Sequence, residues 1–259
     1  SIMPSPFGAH SWHAMSFNPV TGLVYLPTMH IQVDFTDEAY DKDWQSIPFE
    51  GGTAVDYVLG ENPRDYLGSL QAWDPVAQKA VWSVSQKEPW ASGTLTTAGD
   101  LVFQGDPTGM LNAYNARTGE QLWQYDAGLG ISAPPITFKL GDTQYISVLV
   151  GYGGGYAGRI LPGTEDLGWA YGVQKRRLLT FSLTGAGQEL VQPAPYIPEP
   201  LVEAGFDVDS KLADEGATLY LTQGCYACHG VDAIAGGMAP DLRASAIPLT
   251  EMEAVFSSV

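Results

Sequence analysis

Two eleven-residue stretches of the chain repeat at a fixed distance. AWDPVAQKAVW runs from Ala72 to Trp82, and AYNARTGEQLW from Ala113 to Trp123. Each reads alanine, aromatic, Asp or Asn, a polar turn, then a tryptophan ten residues after the alanine. The offset, 113 − 72 = 41 residues, is the length of one blade of a β-propeller built from four-stranded sheets. Such a repeat demands stacked, similar sheets, because one blade cannot bury its own apolar face. A degenerate turn of the same character, NPVTGLVYLP, begins at Asn18.

Strand signals fill the period. TLTTAGDLVFQG reads as two alternating runs around Ala98-Gly99-Asp100, with the glycine supplying the unusual φ of a hairpin turn. APPITFKLGDTQYISVLVG turns at Leu140-Gly141-Asp142, and TQYISVLVG suits a buried inner strand. Thirty glycines, eighteen prolines and thirteen tyrosines agree with many short strands joined by tight turns. No convincing amphipathic helix precedes about residue 205.

The composition then changes. VQPAPYIPEP, Val191 to Pro200, holds four prolines in ten residues and reads as a semi-rigid extended linker. Beyond it Asp209 is placed to cap a helix in which Ala213, Ala217, Tyr220 and Leu221 fall at helical spacing, with Gly216 a weak point inside.

That helix leads into CYACHG, which contains the chain's two cysteines, Cys225 and Cys228, with His229 directly behind. Cys-x-x-Cys serves as a dithiol switch, as half of a zinc site, or as the anchor of haem c. A structural zinc site needs four ligands, and the other histidines, His10, His13 and His30, lie far upstream. A thioredoxin-like switch belongs in a βαβ setting that this stretch lacks. Cys-x-x-Cys-His favours haem c: Cys225 and Cys228 are its thioether anchors and His229 its proximal iron ligand.

A formal charge of −17 argues against nucleic acid as a partner and is compatible with a basic or neutral redox partner. No run of eighteen apolar residues is present, so no transmembrane segment is expected. The opening SIMPSPFG carries no signal peptide, which reads as the result of processing or of a start further upstream.

Blade repeats, proline linker and haem motif, in that order, resemble the quinohaemoprotein alcohol dehydrogenases, which depend on pyrroloquinoline quinone (PQQ). MPSPFGAHSWHAMSFNPVTGLVYLP, AWDPVAQKAVW, SGTLTTAGDLVFQG and GGMAPDLRAS carry the resemblance. It implies an all-β fold: the last blades of an eight-bladed propeller, followed by the start of an α-helical cytochrome c domain. The expected boundaries are 1–190 for the propeller part, 191–205 for the linker and 206–259 for the truncated cytochrome. The resemblance also implies haem c, PQQ and calcium as cofactors. The family's calcium ligands, catalytic aspartate and adjacent-cysteine disulfide would lie upstream of Ser1, so the chain reads as an internal fragment with no catalytic residue of its own.

Within the chain, Trp82, Trp123 and Gly119 read as structural, because they recur with the blade. Trp12, in HSWHAM, matches the tryptophan of the family's Asn-Trp element that points to the quinone. Ser11 stands where asparagine is usual and keeps a single hydroxyl in place of the amide. Ile131, in GLGISAPP, is a weaker candidate, through backbone approach to the quinone. His10 and His13 read as structural, since calcium takes oxygen donors. Trp44, Trp90 and Trp169 have no assigned chemistry. Asp34, Asp37, Glu38, Asp41 and Asp43 read as a solvated charged loop. Met238, nine residues after His229, is the fallback distal iron ligand, and Met252 lies twenty-three beyond. The family's loop order places the distal ligand past Val259.

The implied activity of the parent is oxidation of a small alcohol at PQQ, with electrons passed to haem c. A cytochrome, a copper protein or a quinone-linked subunit would accept them in the periplasm. The alternative is a non-enzymatic propeller–cytochrome electron carrier or binding protein, because a propeller by itself does not specify function.

Overall fold

A computed structural model describes residues 1–36, 54–58, 66–151, 176–185, 199–201, 204–205, 207–229, 233, 239, 241–245 and 247. The fold is mostly β. The first four-stranded antiparallel sheet runs β1 (Ser16–Asn18), β2 (Leu23–Met29), β5 (Gly68–Asp74), β6 (Lys79–Gln86). A separate hairpin, β3 (Gln32–Thr36) with β4 (Ala54–Val58), is inserted between β2 and β5. The second sheet is an uninterrupted meander, β7 (Thr94–Thr96), β8 (Leu101–Gly105), β9 (Met110–Asn115), β10 (Gln121–Asp126). A third has three described strands, β11 (Ile136–Leu140), β12 (Thr143–Val150) and β13 (Arg177–Ser182).

The 41-residue repeat is visible atom by atom. Asp74 Oδ1 accepts from the amides of Val76 and Ala77, and Asn115 Oδ1 from those of Arg117 and Thr118. These short polar side chains close the turns that enter β6 and β10. Asn18 does the same for the turn into β2, accepting from the Val20 amide. Both blades then carry a bulge at the same place. Ala72 faces Trp82 while Trp73 faces Ala80, and Ala113 faces Trp123 while Tyr114 faces Gln121. Val81 and Leu122 are the extra residues, left about half exposed. The bulge turns each tryptophan onto the face that meets the next sheet.

Trp82 docks there as expected. Its indole Nε1 donates to the Ala116 carbonyl at 3.0 Å, and the Tyr25 hydroxyl donates to the same oxygen at 3.0 Å. The ring lies against Gly119, whose φ of +76° suits glycine. Leu23, Tyr25, Leu70, Ala72, Val102, Tyr114 and Ala116 form the core between the two blades. Trp123 meets the third sheet differently, edge-on to Phe181 of β13 at 5.4 Å. The second core, around Leu111, Leu129, Ile131, Val148 and Leu179, fills that gap.

The first two sheets are also joined along their edge strands β1 and β7. Ser16 Oγ and Thr94 Oγ1 are 2.8 Å apart, and Asn18 Nδ2 donates to Thr96 Oγ1 at 3.1 Å.

Two expectations need correction. In the β7–β8 hairpin the positive φ belongs to Asp100 (58°), not Gly99; the aspartate tolerates the left-handed region and pairs with Arg117. The charged stretch from Asp34 is not all loop: Asp34 lies in β3, opposite Asp56, while Asp37, Glu38, Asp41, Asp43 and Trp44 lie outside the described residues. The β11–β12 turn is as expected, with Gly141 at φ +58°, and β12 is the central strand of its sheet.

Helix α1 (Ser210–Thr222) follows. Asp209 caps it, its Oδ1 accepting from the amides of Lys211 and Leu212. Among the described residues, no helix is long and apolar enough to cross a membrane. The linker prolines Pro193, Pro195 and Pro198, together with Trp169 and Met252, fall outside the described residues.

Candidate cofactor sites

Antiparallel alternation sends every connector between blades to the same end of the stack. Residues 7–15 enter β1, 87–93 join β6 to β7, and 127–135 join β10 to β11. Trp12 and Trp90 each stand four residues ahead of the first strand of their sheet, β1 and β7. They flank one imidazole. Trp12 stacks on His13 at 4.2 Å and 23°, and the Trp90 ring lies 5.8 Å from the same imidazole, tilted by 32°. Phe7 meets Trp90 edge-on at 5.2 Å.

His13 is 3% exposed, and neither ring nitrogen has a hydrogen-bond partner. Burial, reinforced by the charge of nearby His10, lowers its pKa from 6.5 to about 4, so the ring is neutral near neutral pH. His10 is satisfied: its Nδ1–H donates to the Pro27 carbonyl at 2.6 Å. His30, at the same end, sits within 3.1 Å of Ser69 Oγ and 3.2 Å of Thr28 Oγ1. Ser69 is fully buried, which makes this trio an internal polar clamp between β2 and β5.

Trp12 is 54% exposed, the indole body standing out from this end, and Ser11 beside it is half-buried. A large planar side chain held from behind by a stacked ring suits contact with a flat ligand. Ile131 shares the end but not the exposure. It is fully buried, its side chain pressed onto Gly105 and its amide bonded to the Asp106 carbonyl at 2.9 Å. Its side chain therefore offers no exposed surface at this end. Trp90, which carried no assignment, is the residue that pattern reading missed; its spacing from β7, equal to that of Trp12 from β1, was the available signal.

The second site is local to one turn of chain. Gly224, at φ +72°, ends α1, and the Cys225 amide reaches back to the Tyr220 carbonyl at 3.1 Å. This six-to-one bond is a glycine C-cap, and Cys225 directly precedes the short helix α2 (Tyr226–His229). The amides of Cys228 and His229 both bond to the Cys225 carbonyl, at 3.2 and 3.0 Å. Both thiols are free of disulfide, Cys228 exposed and Cys225 half-buried. Two free thiols one helical turn apart, with an imidazole adjoining, fit covalent attachment of haem. Among the described residues no group of three or more His, Cys, Asp or Glu side chains is arranged to hold a metal ion. Met238 lies outside the described residues.

Residues 41–146 match the family model for the PQQ-type glucose/ethanol/alcohol dehydrogenase β-propeller domain. Residues 41–146 are thus a PQQ-type β-propeller segment. It is 42% identical over 251 residues to the quinohemoprotein alcohol dehydrogenase ADH IIB of Pseudomonas putida, covering 94% of this chain and 35% of that protein. The quinohemoprotein alcohol dehydrogenase of Comamonas testosteroni is 42% identical over 255 residues, 93% of this chain and 34% of that one. The solved structure of ADHIIG from Pseudomonas putida superimposes with a TM-score of 0.66 at 34% identity, covering 97% of this chain and 37% of that one. The chain thus spans about a third of the length of these relatives.

Proposed function

We propose that this chain is part of a PQQ-dependent quinohaemoprotein that oxidises an alcohol and passes the electrons to haem c. The observation that carries the reading is the coexistence, on one chain, of PQQ-type blades and a Cys-x-x-Cys-His turn with both thiols free. When bound, PQQ would take up two electrons from the alcohol, and haem would relay them one at a time.

The residues divide the work. Cys225 and Cys228 would hold haem through thioether bonds, and His229 would supply the proximal ligand. Trp12 and Ser11 would meet the quinone, the indole by planar contact and the hydroxyl by one hydrogen bond. Calcium enters by family resemblance, with ligands outside this chain. In this reading residues 1–190 are the last blades of an eight-bladed propeller, 191–205 a tether and 206–259 the opening of a cytochrome c domain. The tether would raise the effective concentration of haem at the propeller. The setting would be periplasmic, with a cytochrome, copper protein or quinone-linked subunit as acceptor.

Co-expression with a haem-attachment system tests the reading. The expected product carries one covalent haem, seen by intact mass and a pyridine haemochrome spectrum. Unmodified thiols at Cys225 and Cys228 under those conditions, or bound zinc, would overturn it.

A further inference from the structure

A buried imidazole with no partner for either nitrogen is costly, because each group loses its water and gains nothing in return. His13 is in that state, and its surroundings show what it does in return for the cost. Trp12 lies on it at 4.2 Å and 23°, Trp90 at 5.8 Å and 32°, and Phe7 supports Trp90 from the edge at 5.2 Å. The arrangement runs from a braced aromatic base to an indole that is 54% exposed.

The geometry points to His13 as a positioning residue for Trp12, fixing the plane in which that indole meets a flat ligand at the connector end of the blades. Several features select this role over plain core filling. The ring nearest Trp12 is nearly parallel to it, so the contact defines an orientation and not only a volume. His10, the neighbouring histidine, is tied to the Pro27 carbonyl and leaves His13 without a rival conformation built on a hydrogen bond between the two rings, which are 6.4 Å apart. Trp12 belongs to a connector outside the named strands, where the stack on His13 contributes to its orientation. Burial keeps His13 uncharged near neutral pH, which spares the stack the desolvation of an imidazolium.

The inference rests on the reading that the ligand at this end is PQQ, and the test separates the two. Calorimetric titration of the full-length apoenzyme with PQQ in the presence of calcium is compared for the unsubstituted protein, Trp12→Ala, His13→Ala and His13→Phe. A stacked pair of this kind accounts for up to about tenfold in affinity. His13→Ala should therefore weaken PQQ binding by about that factor, while His13→Phe, which keeps a flat ring behind Trp12, should restore it to within about twofold. The near-ultraviolet circular dichroism band of Trp12, identified by its loss in Trp12→Ala, should collapse in His13→Ala and persist in His13→Phe. If Trp12→Ala binds PQQ like the parent, the placement of the quinone fails. If Trp12→Ala weakens binding but a folded His13→Ala does not, the positioning role fails. Equal losses in His13→Phe and His13→Ala would also overturn it, since a ring would then be no better than a methyl group.

Discussion

Trp82 of one blade lies so close over Gly119 of the next that a β-carbon on Gly119 would sit 2.7 Å from Trp82 Cε3. Gln78, one repeat earlier, has the same left-handed backbone, φ 52° against 76°. The turn therefore tolerates a side chain in one blade and not in the other. The difference is the neighbouring indole.

Gly119→Ala is expected to cost roughly 2–4 kcal/mol, combining a left-handed alanine with overpacking against the indole. Gly141→Ala is the control. Its φ is similar, +58°, but nothing lies within 4 Å of the added carbon, so the loss should be only about 1–2 kcal/mol. Urea unfolding of the two variants checks the contrast, and equal losses would contradict the docking account.

Trp82→Phe removes the 3.0 Å bond to the Ala116 carbonyl but leaves that oxygen the Tyr25 hydroxyl. The acceptor is not orphaned, so a loss of roughly 1–3 kcal/mol is expected. In the double variant with Tyr25→Phe the carbonyl loses both donors, and the combined loss should exceed the sum of the single ones. Additive losses in unfolding experiments would argue against a shared acceptor.

His13 makes stability depend on pH with a definite sign. Its folded pKa, about 4, lies below the ordinary 6.5, so the unfolded chain binds the proton more readily between those values. Stability is fully present above 6.5 and is lost as pH falls towards 4. From about pH 7 to about pH 4.5 the contribution is on the order of 2–3 kcal/mol. His13→Phe should flatten the pH slope of the unfolding free energy by about one proton in this range. An unchanged slope would remove His13 as its source.

At the haem turn, Cys225→Ala and Cys228→Ala should each leave haem held by a single thioether, and the double variant should carry none covalently. Met238→Ala is expected to leave the absorption spectrum nearly unchanged, with high-spin iron that binds carbon monoxide readily. A low-spin parent whose thioether-to-iron charge-transfer band disappears in Met238→Ala would instead identify Met238 as the distal ligand.

Much of this protein can be read from adjacent residues. The 41-residue spacing, the Asp or Asn turns and the Asp209 cap are local patterns, and each is found where its chemistry puts it. Cys225, Cys228 and His229 also form a local site, because a glycine-capped helix end and one turn of helix bring them together. The connector site is different. Trp12 and His13 lie 78 and 77 positions from Trp90, and no spacing rule joins them. Trp90 reaches His13 only because antiparallel sheets return every blade connector to one end. The bulges at Val81 and Leu122 are likewise invisible to an alternation count, yet they decide which face each tryptophan occupies. Sequence alone determined the blades and the thiol pair, whose interactions close within a few residues. Tertiary structure alone decided the partnerless burial of His13 and the Trp82–Gly119 contact, because both depend on surfaces that meet only when separate blades pack.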